Sequence, residues 1–340
     1  MKKQVLVVAV AAALAVPVVA VAETTGSVYG RAHLSVDHLD NGDSYSEINV
    51  SSNSSRIGFK GEHRFNDDLT GIFQIEQEIF FDNEGSEWAS RDTFAGLKGD
   101  WGMFRVGKFD TPFKRARGPA NFFGDQVGDM RNITRVSAVG RFDERFRNSL
   151  HYRSPSMGGF VADLQYSPER SDSTTAEGSD NAGFSGSLGY RNGPLNAIVA
   201  YEVQNGASSD PDAVRLAASY QITSDLRLGA LYQQTEASNG TEGTAYGLGG
   251  SFRMSPSMYL NAHVFTLDSD VVDGDATMYA VGLEYRVDRA LRFYGNVAVM
   301  DNQDASALTP WGAARSATPD GALGETATGV SLGMRYDFSF

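Results

Sequence analysis

The 340-residue sequence contains no cysteine. That absence excludes disulfide frameworks, thiolate metal sites and cysteine nucleophiles. Histidine is scarce as well: the five histidines are scattered and belong to no Gly-x-Ser-x-Gly or His-Glu-x-x-His signature. The sequence therefore predicts a protein that is not an enzyme, with no metal site and no cofactor.

Long apolar runs and positive charge are also lacking. After residue 22 no run of about 18 apolar residues occurs, which argues against membrane-spanning helices. The chain has 29 basic and 42 acidic residues, and a formal net charge of −13 argues against nucleic acid as a partner. Glycine (37), phenylalanine (20) and tyrosine (14) are plentiful, as in soluble β proteins or barrels with a polar interior.

The amino-terminal segment predicts export. Lys2 and Lys3 precede an apolar run, and Ala20 and Ala22 form a small-x-small cleavage site. We expect residues 1–22 to be a cleaved signal peptide, since no stop-transfer flank follows that would favour the alternative, a membrane anchor. Residues 23–340 would then form one domain, with 27 basic and 42 acidic residues and a net charge of −15.

Most of the remaining chain alternates between apolar and polar residues. The last eleven residues, VSLGMRYDFSF, place every apolar side chain on one parity and every small or polar one on the other. A strand with this pattern has one apolar and one polar face, as needed in a closed barrel between lipid and water. Residues 28–36, 160–166, 281–287 and 291–299 show the same pattern, whereas residues 258–267 are mixed.

The connections between these segments alternate in length. Short turn sequences at 66–68, 155–158, 191–194, 223–225, 255–257 and 288–290 are separated by longer Ser/Asp/Gly-rich links. One rim of tight turns and one of longer loops is typical of a membrane barrel. The pattern predicts an all-β, transmembrane antiparallel β-barrel of sixteen strands, with both termini at the short-turn rim; by itself it leaves fourteen or eighteen open.

Six segments, spread in order over the chain, carry a family resemblance. They are residues 27–31, 55–62, 91–99, 106–112, 148–155 and 335–340. With these segments the chain resembles the general diffusion porins of Gram-negative bacteria. The resemblance implies sixteen strands, a homotrimer in the outer membrane, contact with the lipid bilayer and lipopolysaccharide, and passive diffusion of small hydrophilic solutes and ions.

The same resemblance implies roles for two aromatic residues. Trp88 lies where related porins have a second loop that contacts a neighbouring subunit, although an interfacial membrane aromatic is the alternative. Phe340 resembles the carboxy-terminal signal that the outer-membrane insertion machinery reads.

Residues 110–147 form a long interval without clean alternation, and in the porin family the corresponding third loop folds inward and narrows the pore. Five acidic and eight basic residues lie in this interval. Asp110, Asp125 and Asp129 are the acidic candidates for the constriction. The basic candidates share the polar parity of their strands; they are Arg31, Arg56, Lys60, Arg91 and Arg105. In related porins, bases matching Arg31, Arg56 and Arg91 face the loop acids.

Charge alone does not fix ion selectivity, because charges more than about 8–10 Å from the narrow point are screened at physiological salt. The acidic run 268–275 lacks a full calcium-loop pattern and is best explained as solvated loop charge. Two alternatives remain at this stage: a substrate-selective channel of the same fold, and a plugged barrel that presents its loops as an adhesin or binding protein.

Overall fold

A computed structural model describes residues 24–83, 85, 88–170, 181–205 and 209–340. The predicted signal peptide therefore lies outside the described residues. Within the described part of the chain, no helix is both long and apolar enough to cross a membrane.

The described residues contain seventeen β-strand segments in one sheet, each antiparallel to its neighbours. They are β1 (Thr24–Asp40), β2 (Ser46–Ser52), β3 (Arg56–Arg64), β4 (Thr70–Glu78), β5 (Thr93–Gly99), β6 (Gly102–Asp110), β7 (Arg145–Arg153), β8 (Phe160–Ser167), β9 (Gly183–Asn192), β10 (Leu195–Gln204), β11 (Asp212–Gln221), β12 (Leu226–Glu236), β13 (Glu242–Arg253), β14 (Met258–Ser269), β15 (Ala276–Arg286), β16 (Leu291–Asn302) and β17 (Ala327–Ser339).

Strands β2 and β3 together make one barrel strand. They pair with the second and first halves of β1 respectively, and a break at 53–55 separates them. Ser54 in this break has a φ of 55°, a left-handed conformation that interrupts the strand. Since β1 also pairs with β17, the described strands close into a sixteen-stranded barrel without a free edge, and the predicted strand count is confirmed.

The two faces of each strand follow the predicted parity. In β17, Leu332 is 68% exposed on the outer face, whereas Ser331 beside it is fully buried on the inner face. Tight turns join the strands at one rim, where β1 begins and β17 ends, and the backbone of Phe340 pairs with Val28 there. The longer links are at the opposite rim, so both rims match the prediction.

One half of the inner face is apolar, which the alternating pattern does not predict. Leu231, Phe265, Leu267, Met278 and Met300 point inward from β12, β14, β15 and β16, and all are buried. They are covered by the link between β6 and β7, residues 111–144, which we name the inner loop. Because β14 is apolar on both faces, its segment of the sequence shows no clean alternation.

The inner loop contains two short helices, α1 (Pro112–Arg115) and α2 (Arg131–Thr134), with a 3-10 turn after each. Pro112 at the first turn and the Thr111 hydroxyl, which accepts a hydrogen bond from the Lys114 amide (3.1 Å), begin α1. The Phe113 amide donates to the Ser185 hydroxyl of β9 (3.0 Å). The loop thus starts against the inner face of the barrel wall.

A second link enters the barrel. We name residues 303–326, between β16 and β17, the last loop. Its Trp311 is fully buried against the inner loop, and the Gly128 amide donates to the Pro310 carbonyl (2.7 Å). Arg315 forms a fully buried ion pair with Asp37 of β1. No inward-facing part of this link was predicted, because it contains no apolar periodicity.

Candidate functional site

Basic side chains line the wall formed by β1, β3 and the link after β4. Arg31 and Arg56 point inward from β1 and β3, as their parity predicts. Arg91 lies beside them, and its Nε donates to Glu76 Oε1 (2.7 Å) while its Nη1 lies 3.6 Å from Glu78 Oε1. Two carboxylates of β4 therefore hold the guanidinium of Arg91 in place.

Asp125 of the inner loop faces this wall. Its Oδ2 lies 3.3 Å from Arg31 Nη1 and 3.6 Å from Arg56 Nη2, while its Oδ1 lies 2.7 Å from Arg131 Nη2. Burial would raise the pKa of the Asp125 carboxyl, but the three guanidiniums lower it well below its ordinary value. Asp125 is therefore ionised, and the surrounding arginines neutralise it locally.

Asp129 has a structural position behind Asp125. Its side chain is fully buried, accepts a hydrogen bond from the Asp125 amide (2.7 Å) and pairs with Arg131 (2.6 Å). Because Asp125 has a φ of 63°, this hydrogen bond supports a left-handed turn that a residue with a side chain rarely adopts. Asp129 thus fixes the turn that presents Asp125.

A second charged group lies where the inner loop leaves β6. Asp110 pairs with Lys114 (3.0 Å) and Arg145 (3.0 Å), and Arg145 also pairs with Asp92 (2.6 Å). Burial lowers the pKa of the Lys114 ammonium to about 8, although the neighbouring Asp110 acts in the opposite direction.

A buried ion pair attaches the inner loop to the far wall. Arg215 of β11 is fully buried and donates to Asp143 Oδ1 (2.6 Å) and to the Phe113 carbonyl (3.0 Å). Burial would raise the pKa of Asp143, but Arg215 and Arg117 lower it. Gln233 of β12 also contacts Arg215 and donates to the Thr134 carbonyl (2.8 Å). Arg215 thus ties both ends of the loop to the barrel.

Between the basic wall and the inner loop is a cavity of about 340 Å³, which we name the charged cavity. Its lining contains eight basic and five acidic side chains, a formal excess of three positive charges. The lining residues are Arg31, Ser54, Arg56, Glu78, Arg91, Asp110, Lys114, Arg117, Asp125, Arg131, Arg135, Asp143, Glu144, Arg145 and Ala314. Among the described residues, no cluster of three or more His, Asp or Glu side chains is arranged to hold a metal ion.

Five of the predicted site residues line the charged cavity. They are Arg31, Arg56, Arg91, Asp110 and Asp125. Two predicted basic residues lie elsewhere: Lys60 stacks over the Tyr29 ring at 5.1 Å, and Arg105 lies between the rings of Phe94 and Phe109. Asp129 does not reach the cavity, because it is buried beneath Asp125.

The two predicted aromatic residues are exposed. Trp88 is 69% exposed on the link after β4, and Phe340 is 83% exposed at the short-turn rim. Neither contacts the charged cavity, so the structure separates them from the pore interior.

Sequence reasoning missed the contributions of Glu78, Ser54 and the last loop. Glu78 shares the inward parity of Glu76, so its position was visible in the alternation. By contrast, the Ser54 hydroxyl reaches the cavity only because the strand breaks there, and it donates to the Ala314 carbonyl (3.3 Å). No local sequence signal predicts that contact across 260 residues.

A closed sixteen-stranded barrel with a charged interior narrows the choice of families. A family model described as Gram-negative porin matches residues 9–305 of this chain. The chain belongs to the Gram-negative porin family. This porin is 27% identical to Outer membrane porin protein 32 of Delftia acidovorans, over 359 aligned residues covering 99% of the chain and 100% of that protein. Major outer membrane protein P.IB of Neisseria lactamica is 30% identical over 217 residues, 59% of this porin and 58% of its own length.

Solved structures agree with the sequence relatives. An anion-selective porin from Comamonas acidovorans superposes on this porin with a TM-score of 0.84 at 25% identity, covering 93% of this chain and 100% of its own. OmpT of Vibrio cholerae superposes with a TM-score of 0.68 at 17% identity, which shows the fold alone. The porin is accordingly an outer-membrane channel for passive diffusion.

Proposed function

We propose that the charged cavity is the constriction of the pore and that the pore prefers small hydrophilic anions. The observation that carries this proposal is the placement of Asp125 against Arg31 and Arg56, at 3.3 and 3.6 Å. The inner loop thereby reaches across the lumen from the apolar wall to the basic wall. A solute on its way through the barrel has to pass between the inner loop and the basic wall.

The anion preference follows from how the charges are paired. Asp125 is shared by three arginines, so it offers little negative potential to a passing cation. The lining as a whole keeps an excess of three positive charges, and a narrow low-dielectric passage concentrates ions of the opposite sign. The structural similarity to the anion-selective porin of Comamonas acidovorans supports the same preference.

We further propose a homotrimer in which Trp88 contacts a neighbouring subunit, with lipopolysaccharide around the assembly and insertion guided by Phe340. The exposure of both aromatic side chains supports these roles, since each is free to meet a partner. One solved OmpT structure of the same fold is described as a trimer form.

The deciding experiment is single-channel recording in a planar bilayer, with the reversal potential measured across a KCl gradient. We expect the conductance to increase in steps of three. We also expect the sign of the reversal potential to show a preference for chloride. Trp88→Ala is expected to yield single steps and a smaller species on unheated gels. A folded, heat-modifiable barrel that stays electrically silent would favour the plugged barrel instead.

Two variants test the charged cavity in opposite directions. Arg31→Gln/Arg56→Gln is expected to lower the chloride-to-potassium permeability ratio about fivefold, because one unit charge ~4 Å away is worth about 1 kcal/mol even in water. Asp125→Asn is expected to raise the ratio. The matched control, named the rim control, is Arg64→Gln/Arg253→Gln, which removes two exposed, ion-paired arginines at the short-turn rim. Equal effects of the rim control and the cavity variant would contradict the assignment.

A further inference from the structure

A second basic cavity lies on the short-turn side of the inner loop. We name this space of about 570 Å³ the rim cavity; it lies between residues 115–119 and strands β7–β10 and β12. Four arginines line it, Arg115, Arg153, Arg191 and Arg227, against the single carboxylate of Asp163. Because short turns of such barrels face the periplasm, this cavity is at the periplasmic mouth.

Asp163 is already shared by several donors. It lies 3.4 Å from Arg115 Nη2, 3.8 Å from Arg153 Nη1 and 3.0 Å from the His151 ring. One carboxylate thus serves two guanidiniums. The Nε of Arg115 is buried without a hydrogen-bond partner among the described residues. This side of the cavity has more donors than acceptors.

The other two arginines face the cavity with no carboxylate near them. In the described part of the chain, neither Arg191 nor Arg227 has an acidic oxygen within 4.0 Å. The guanidinium of Arg227 lies over the Phe122 ring, 4.8 Å from its centroid. Such stacking orients a guanidinium without neutralising it, so its N–H groups stay available.

We propose that the rim cavity binds multivalent oxyanions of the phosphate class. This inference rests on the proposed function, because the anion reaches the cavity through the open pore. Guanidinium forks match the paired oxygens of phosphates, and charge-assisted hydrogen bonds of this kind are the strong ones. Four arginines against one acid leave an excess of three positive charges, which matches a polyanion rather than a single chloride.

The rim cavity gives the pore a second binding site for anions, after the charged cavity. An oxyanion that leaves the charged cavity meets the rim cavity on its way to the periplasm, because Arg117 of the first cavity and Arg115 of the second are only two residues apart in the inner loop. Monovalent ions pass both cavities, whereas multivalent oxyanions bind in the rim cavity. We therefore expect such anions to slow the chloride current while they occupy the rim cavity.

The test measures block of the KCl current by inorganic pyrophosphate, added to both sides of a bilayer at 0.1 M KCl. The test variant is Arg191→Gln/Arg227→Gln, which breaks no ion pair described in the structure. It is compared with the wild type and with the rim control, which also removes two positive charges from the short-turn rim, but at positions outside the cavity. We expect the apparent dissociation constant of pyrophosphate to rise about tenfold in the test variant and to change less than about twofold in the control.

The outcomes separate this inference from the proposed function. Normal chloride conductance with identical pyrophosphate block in all three proteins overturns the rim cavity and leaves the pore intact. A loss of block in Arg31→Gln/Arg56→Gln alone also overturns it, because the anion is then held in the charged cavity. If the folded wild type conducts no chloride, the proposed function itself is refuted. Heat-modifiability on gels verifies that each variant is folded.

Discussion

At the residue scale, Asp125 and Asp129 of the inner loop have different roles. Asp125 faces the basic wall, whereas Asp129 is buried and supports the turn beneath it. Their spacing of four residues gives no hint of this difference. The difference comes from the left-handed backbone at Asp125, which points its amide, rather than its carboxylate, at Asp129.

We expect Lys114, which lines the charged cavity, to make the pore sensitive to pH. Burial holds its pKa at about 8, so it loses its charge between pH 7 and 9 instead of above pH 10. A lysine whose pKa is lowered is charged below that value and neutral above it. We therefore expect the chloride preference, read from the reversal potential, to fall as the pH rises through about 8.

Two substitutions at Lys114 provide the controls. Lys114→Arg keeps its charge throughout this range and is expected to remove the pH step. Lys114→Gln is expected to show, at pH 7, the weaker chloride preference of the wild type at pH 9. An unchanged pH step in Lys114→Gln would assign the titration to another group.

At the element scale, the inner loop has two faces. Its charged face meets the basic wall, and its apolar face packs on the wall formed by β12 to β16. The apolar contacts include Phe123, Val127, Met130 and Ile133, all buried. The loop therefore behaves as part of the hydrophobic core on one side and as pore lining on the other.

This arrangement explains what the sequence could and could not predict. Arg31 and Arg56 were predicted to face inward because strand parity fixes which face a side chain occupies. Arg91 lies on the link before β5, outside the strands, so there the family resemblance supports the prediction. Asp110 and Asp125 were identified through the family resemblance. The apolar inner wall was hidden, since Phe265 and Met278 look like outward residues when the loop that covers them is unknown. The inward path of the last loop depends on the buried Arg315–Asp37 pair, which joins residues 278 positions apart.

The anchoring of the inner loop can be tested at Arg215. Arg215→Ala leaves the buried Asp143 with only Arg117, 3.7 Å away, as an ionic partner, and this loss is expected to cost about 3–5 kcal/mol of stability. The double variant Arg215→Met/Asp143→Ala removes both charges and is expected to recover most of that loss. The measurement is the midpoint of unfolding in urea, followed by the gel shift between folded and unfolded barrel.

The same variants report on the channel. The single variant is expected to give noisier current, because the loop loses its ties to β11 and, through Phe113, to the loop start. If the double variant is as unstable as the single one, the buried pair itself, and not the uncompensated charge, supports the loop.

At the scale of the whole molecule, the barrel closes between its first and last described strands. Strand β1 pairs with β17, and the backbone of Phe340 forms two hydrogen bonds with Val28, of 2.8 and 3.1 Å. The rim assignment was predictable because it depends on local alternation and turn sequences. The strand count was not fixed in this way, because alternation alone left fourteen or eighteen strands open and the family resemblance favoured sixteen. The break between β2 and β3 was not, because each half reads as an ordinary strand.

Phe340 is expected to affect assembly and not conduction. Its side chain is 83% exposed and far from the charged cavity, so its deletion removes no pore contact. We expect the deletion to reduce the amount of heat-modifiable barrel in the outer membrane, while each channel that does form conducts normally. The conservative Phe340→Trp is the control. Normal yield of the deletion would refute the assembly role.

The apolar inner wall also imposes an order of events on folding. Gln126 in the inner loop receives a hydrogen bond from Asn296, 170 residues further along the chain (2.6 Å). The apolar face of the loop has no surface to cover until β14 to β16 are in place, and such distant contacts form slowly. The inner loop, the proposed constriction of the pore, is therefore among the last parts of the chain to acquire its shape. Until then the apolar face of the loop stays exposed and prone to aggregation. The formation of the last strands therefore decides how long the whole molecule remains at risk.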